Sequence, residues 1–119
     1  RLFAAVRDHP SAQLRVGACL DTAHAFAADV AAADDPGGWV ERFREVAGGI
    51  DLLHVNDSGA PAGAGRDLHR NLGAGRMGLR RLAEMVCAAR APAAIVETPG
   101  DDERRMQDLE ILRYLAATA

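Results

Sequence analysis

Six side chains with metal-ligating chemistry punctuate this 119-residue sequence: Asp21 and His24 in ACLDTAHAF, His54 in HVNDS, Asp67 and His69 in GRDLHRNLGAG, and Glu97 in IVETP. Together they form the mixed oxygen and nitrogen donor set that zinc and similar divalent ions accept. Singly, each has a plainer use. An Asp that ends an apolar run suits a helix N-cap, a lone His near a strand end suits a packed or hydrogen-bonded ring, and Glu97 before Thr-Pro suits a solvated side chain. As a group they are harder to place without a ligand. Carboxylates that converge on one partly buried rim repel, and burying them unpaired is costly, so cations are the natural remedy.

Convergence requires elements that deliver all six to one place. Leu14–Leu20, Ile50–Val55 and Ala93–Val96 are short apolar runs bounded by polar or turn residues, which predicts three strands. Their continuous rather than alternating apolar character suits strands covered on both faces of a parallel sheet. Helical spacing falls between them. Trp39, Val40, Phe43 and Val46 follow a Pro36-Gly37-Gly38 break, and Gly48-Gly49 ends that helix. Leu79, Leu82, Val86 and Ala89 line a second helix closed by Pro92, and Met106, Leu109, Leu112 and Leu115 line a third. Asp101, Asp102 and Glu103 suit the positive N-terminal end of that last helix. The opening RLFAAVRDHP reads as the tail of a further helix, and GAPAGAG as a flexible loop of small residues.

This alternation is that of a parallel α/β protein. Asp21, His54 and Glu97 then lie at the C-terminal ends of the three strands, where α/β barrels keep their active sites. Three strands cannot close a barrel. The expectation is therefore the C-terminal part of a (β/α)8 TIM barrel, about three βα units, with residues 1–119 a fragment of one domain.

Composition narrows the function classes only a little. The net charge of -3 gives no sign of a wholesale nucleic-acid-binding surface, although unloaded metal ligands contribute negative charge themselves. All the basic residues are arginine, with heavy use of alanine, as a genomic coding bias produces. Cys19 and Cys87 follow no CxxC pattern; Cys19 reads as a small buried hydrophobe, and a reducing cytoplasm is the expected compartment. No apolar stretch approaches the roughly 20 residues that span a bilayer, and no signal peptide is evident. His9, before Pro10, is given no role.

CLDTAHAF, HVNDS, GRDLHRNLGAGRMG and IVETP, in this order, resemble the second-half signatures of endonuclease IV, the zinc-dependent apurinic/apyrimidinic endonucleases also called deoxyribonuclease IV. The resemblance runs from about Val16 to the last helix, and it is the ordered set of motifs that makes it specific. It implies a barrel with a trinuclear zinc cluster, in which Asp21, His54 and Glu97 serve one zinc and His24, Asp67 and His69 another. The remaining ligands of that family, two histidines and a bridging glutamate, belong to an N-terminal barrel half that this sequence lacks and would require. The resemblance further implies a monomeric enzyme acting on double-stranded DNA at abasic sites. It would hydrolyse the 5′ phosphodiester to leave a 3′-hydroxyl and a 5′-deoxyribose phosphate. Two positions depart from the pattern: Ala23 stands where the family usually has Cys, and Leu68 where it commonly has Arg. Arg66, Arg70 and Arg76 remain near the metal loop as candidates to meet DNA phosphates, or as a solvated loop face.

Two other readings compete. Sugar isomerases and epimerases of the xylose-isomerase-like barrels also hold divalent ions with Asp, His and Glu at strand ends, although the Asp67/His69 pair in a Gly/Arg loop favours the nuclease. Alternatively the polypeptide is a catalytically silent truncation, with exposed sheet edges that predict poor solubility unless a partner segment covers them.

Overall fold

The computed structural model describes residues 16–117, together with Ala5, Asp8 and His9. The expected opening helix tail and the start of the first strand lie outside the described residues. Each of the three apolar runs contributes a short strand: β1 is Cys19–Asp21, β2 is Leu52–His54 and, after an intervening pair, β5 is Ala94–Ile95. They pair in parallel in the order β1-β2-β5, with Asp21 level with His54 and His54 level with Ile95. That register brings the C-terminal ends of all three strands to one edge of the sheet, as the sequence predicts.

The helices that connect the strands are set by local chemistry. α1 (Thr22–Ala28) begins at Asp21, whose carboxylate accepts from the Ala23 and His24 amides. α2 (Ala31–Asp34) is a single turn. α3 (Pro36–Ala47) is capped by Asp35, which accepts from Gly38 N, and Pro36 supplies a first-turn φ already suited to a helix. It stops at Gly48, whose φ of 78° is open to glycine at little cost. α4 (Gly78–Ala89) and α5 (Asp102–Ala117) complete the set. The short α1 and α2 escape a reading by periodicity because residues 22–34 are mostly alanine, with too few large side chains to mark a face.

Two predicted helix faces are rotated from their expected positions. On α4 the buried residues are Leu82, Met85, Ala88 and Ala89, and Leu79 is 44% exposed. On α5 they are Asp108, Leu112 and Leu115, and Met106 is 52% exposed. In both helices the first apolar residue of the expected stripe is exposed.

The core forms on one side of the sheet, where Leu20 and Leu53 meet Phe26, Val40, Leu82, Met85, Leu112 and Leu115. The other side is not covered by the described residues. Cys19 and Ile95 are exposed on it, which corrects both the expectation of strands covered on two faces and that of a buried Cys19. Side chains alternate along a strand, so the face that carries Cys19 also carries Asp21. No helix among the described residues is long and apolar enough to cross a membrane.

A second, smaller sheet extends beyond β2. β3 (Asp57–Ser58) pairs antiparallel with β4 (His69–Arg70), setting Ser58 against His69. The intervening GAPAGAG segment is docked rather than free. Gly63 N and Gly65 N donate to Phe26 O and Ala27 O at the end of α1, at 2.9 and 2.8 Å. Both glycines adopt φ near 70°, a conformation that β-carbon sterics disfavour in other residues.

Candidate metal centre

The parallel strands and the β3–β4 pair deliver all six candidate ligands to one open depression, lined by Cys19, Leu20, Asp21, His24, His54, Asp67, His69 and Glu97. Asp21, His54 and Glu97 arrive from the ends of β1, β2 and β5. His24 projects from the first turn of α1. Asp67 and His69 arrive through the docked loop and its ladder to β3. A larger groove between α3 and α4, lined by Asp35, Glu41, Glu84, Cys87 and Arg90, lies apart from these groups.

Asp21 divides its oxygens between the helix cap and the depression. Oδ1 accepts from Ala23 N at 2.9 Å and His24 N at 3.2 Å, capping α1. Oδ2 faces the depression, 3.4 Å from His69 Nε2 and 3.9 Å from both His54 Nδ1 and His24 Nδ1. Around it, His54 Nδ1 and Glu97 Oε1 lie 2.6 Å apart. His24 Nε2 is 2.8 Å from Asp67 Oδ2, and His69 Nε2 is 3.1 Å from Asp67 Oδ1. Two groupings result, Asp21/His54/Glu97 and His24/Asp67/His69, in contact through Asp21 and His69.

The donor chemistry fits a divalent cation. Asp21, His69 and Glu97 each offer one ligand atom, and those atoms lie within 4.8 Å of one another. His69 Nε2 is buried yet makes no hydrogen bond, because its approach to Asp67 is close in distance but wrong in direction. A buried nitrogen without a partner is costly, and a metal ion is the partner that the surrounding carboxylates would bring. Nearby, desolvation first, and then the Asp21 and Glu97 charges, push the Cys19 thiol above its ordinary value. The solvent-facing thiol thus stays protonated in a field of negative charge.

Several positioning groups carry no obvious sequence signal. Thr22 Oγ1 donates to Asn56 O at 2.7 Å and accepts from Asn56 N at 2.9 Å, tying the start of α1 to the end of β2. The Asn56 amide then spans the sheet edge, donating from Nδ2 to Asp21 Oδ2 at 3.1 Å and accepting at Oδ1 from Glu97 N at 2.9 Å. His69 Nδ1 lies 3.2 Å from Glu97 O, which orients the ring with Nε2 toward the cluster. Arg66, Arg70 and Arg76 are all exposed, and Arg70 lies over Gly59, where a β-carbon would meet its guanidinium. Leu68, beside the metal loop, is half-buried.

Comparison with known proteins points in one direction. The sequence profile described as xylose isomerase-like TIM barrel matches residues 1–116. "Probable endonuclease 4" of Mycobacterium bovis (strain BCG / Pasteur 1173P2) is 45% identical over 98 residues, covering 82% of this chain and 36% of the relative. The proteins of the same name from Mycobacterium ulcerans and Mycobacterium leprae are 46% and 43% identical over the same lengths. The crystal structure of endonuclease IV from Thermus thermophilus superposes with a TM-score of 0.76 at 29% identity, covering 91% of this chain and 41% of that one. The chain thus spans about a third of the length of the curated relatives it matches.

Proposed function

Because the chain belongs to the xylose isomerase-like TIM barrel family, we propose that its 119 residues are one segment of a single barrel domain with the chemistry of endonuclease IV. That chemistry is zinc-dependent cleavage of DNA on the 5′ side of abasic sites. The observation that carries the proposal is the convergence of Asp21, His24, His54, Asp67, His69 and Glu97 on one depression, with His69 Nε2 buried beside two carboxylates without a hydrogen bond. In this reading Asp21, His54 and Glu97 hold one zinc, and His24, Asp67 and His69 hold another. A third, and the bridge to the second, need two histidines and a glutamate from outside this chain.

Zinc held by Asp21, His54, Glu97, His24, Asp67 and His69 would supply Lewis acidity toward water and positive charge to face a phosphate. The chain's own groups prepare that site. Asp21, Asp67 and Glu97 provide the anionic anchors, while the neutral imidazoles leave the site enough positive charge to accept a phosphodiester. A metal held by these two residues would replace the direct contact between His54 Nδ1 and Glu97 Oε1, which lie 2.6 Å apart. In this reading the exposed Arg66, Arg70 and Arg76 meet backbone phosphates, which fixes register without reading sequence. An abasic nucleotide has no base to unstack, so extruding it into such a depression costs little.

The test begins with Zn2+ titration of the full chain, followed by two assays on the loaded protein. One is incision of a duplex with a single abasic site, and the other is ketose formation from an aldose. Zinc binding with incision on the 5′ side is the expected result. Ketose formation would transfer the site to the isomerases. Zinc binding with neither reaction would make the isolated chain a silent segment of a longer enzyme. Failure to bind zinc would overturn the metal centre itself.

A further inference from the structure

Asp108 is a fully buried carboxylate on α5 that does not line the open depression, and none of the chemistry above uses it. Its two oxygens are occupied from two directions. Oδ1 accepts from Leu72 N at 3.1 Å; Oδ2 accepts from Asn71 Nδ2 at 2.7 Å and Thr98 Oγ1 at 2.6 Å. Asn71 and Leu72 follow directly on β4, which carries His69. Thr98 is the neighbour of Glu97. The same Asn71 amide also donates to Pro99 O at 2.9 Å, and Arg105 Nε donates to Thr98 O at 3.3 Å. A single helix side chain thus clips the His69 segment to the Glu97 segment, close in sequence to the point where His69 Nδ1 meets Glu97 O.

We infer that Asp108 is a positioning residue for the metal centre, fixing the separation of His69 and Glu97, one ligand from each of the two groupings. The inference rests on the reading of those two residues as ligands. The physical argument is one of acceptor count. Three donors converge on Asp108, and only a carboxylate offers acceptor sites to all of them without presenting a donor of its own. With that clip in place, two segments far apart in sequence are held in one relation before any cation arrives. Ligands placed in advance lower the ordering cost of binding.

The decisive experiment is Asp108→Asn in the full chain, read by Zn2+ calorimetry. The new amide points a donor at the Asn71 amide, so the clip opens, and affinity should fall about 10- to 100-fold, as for other residues that orient metal ligands. The exchange variant Asn71→Asp/Asp108→Asn restores a donor facing an acceptor, keeps an acceptor for Leu72 N, and lets the Thr98 hydroxyl rotate to accept. It should recover part of the loss but not all, because Asn71→Asp removes the bond to Pro99 O, whereas Asn71→Asp alone should not bind better than Asp108→Asn. Leu82→Ala, a core truncation away from the site, serves as the control for stability alone and should leave affinity unchanged. Equal affinity in Asp108→Asn and the unaltered chain, or an equal loss in Leu82→Ala, would overturn the inference.

A second readout needs no metal. In NMR of the metal-free chain, Asp108→Asn should shift the His69 ring resonances and accelerate amide exchange at Leu72. If the unaltered chain binds no zinc, the reading of the ligands fails on that result. The clip is then judged separately, because an unmoved His69 ring and a still-protected Leu72 amide would overturn it.

Discussion

Asp57 and Asp67 lie in the same connection after β2, and their surroundings could hardly differ more. Asp57 is fully buried, and its carboxylate accepts from the backbone amides of Ser58, Gly73, Gly75, Met77 and Gly78 at 2.8 to 3.4 Å. The approach is so close at Gly75 that a β-carbon there would overlap Asp57 Oδ1 and Ser58 O. Asp67 has a side chain that is 43% exposed, and its nearest polar neighbours are two imidazoles, His24 and His69. Backbone amides cannot titrate or leave, so Asp57 is a permanent anchor for the turn that starts α4. Imidazoles can turn to a cation, so under the proposed function Asp67 would share a ligand with them. The first kind of carboxylate builds the scaffold, and the second waits on it.

The largest expected effect comes from breaking the first kind. Asp57→Asn replaces one acceptor with a donor that faces amide donors, and it removes the charge that strengthens every remaining bond. Charge-assisted hydrogen bonds contribute about 1.5–3 kcal/mol each, so a loss of at least ~3 kcal/mol is expected in urea denaturation. A variant within about 1 kcal/mol of the unaltered chain would show that the turn does not depend on Asp57. Next in size is the effect of filling the second kind. Zinc at about 100 times its dissociation constant should stabilise the chain by about 2.7 kcal/mol, and a chelator should reverse this. The third test joins the two. Asp67→Asn should change metal-free stability by no more than about 0.5 kcal/mol, as exposed substitutions do. It should nonetheless sharply reduce the stabilisation by zinc. If it instead unfolded the metal-free chain, Asp67 would be an anchor like Asp57.

The same contrast explains what could be read in the sequence. The order of the three parallel strands and the three longer helices, and their kinship with a TIM barrel, were legible, because apolar runs and helical spacing report burial directly. So was the gathering of Asp21, His54 and Glu97, since a parallel sheet sends its strand ends to one edge, whereas Asp67 and His69 reach it through a loop and an antiparallel pair. Asp57 stood in view within HVNDS, but its role did not, because its partners are backbone amides with no residue type to betray them. Asp108 did leave a trace. It stands in helical register with Leu112 and Leu115, on the stripe where a reader of periodicity expects an apolar residue and settles on Met106 instead. The docked GAPAGAG loop was misread as flexible for a related reason: its glycines report conformational freedom, while the carbonyls at the end of α1 that engage them lie far away in the sequence.

Asp29 separates the two properties that coincide in Asp57, backbone bonding and burial. It is exposed, yet Oδ1 accepts from Ala31 N at 2.9 Å and Oδ2 from Trp39 Nε1 at 3.1 Å. The Ala31 amide, then the Trp39 indole, and more weakly Arg42, hold its carboxyl below the ordinary value against a small opposing effect of desolvation. A carboxyl depressed in the folded state favours folding fully above its unfolded pKa, and that contribution disappears as pH falls through the folded value. Asp29→Asn should therefore lower stability slightly at neutral pH, and the difference from the unaltered chain should vanish in acid. Thermal denaturation of both proteins across the acid range measures it. Solvent screens an exposed group, so this should be the smallest of the effects. A loss as large as that of Asp57→Asn would mean that bonding alone, without burial, makes an anchor.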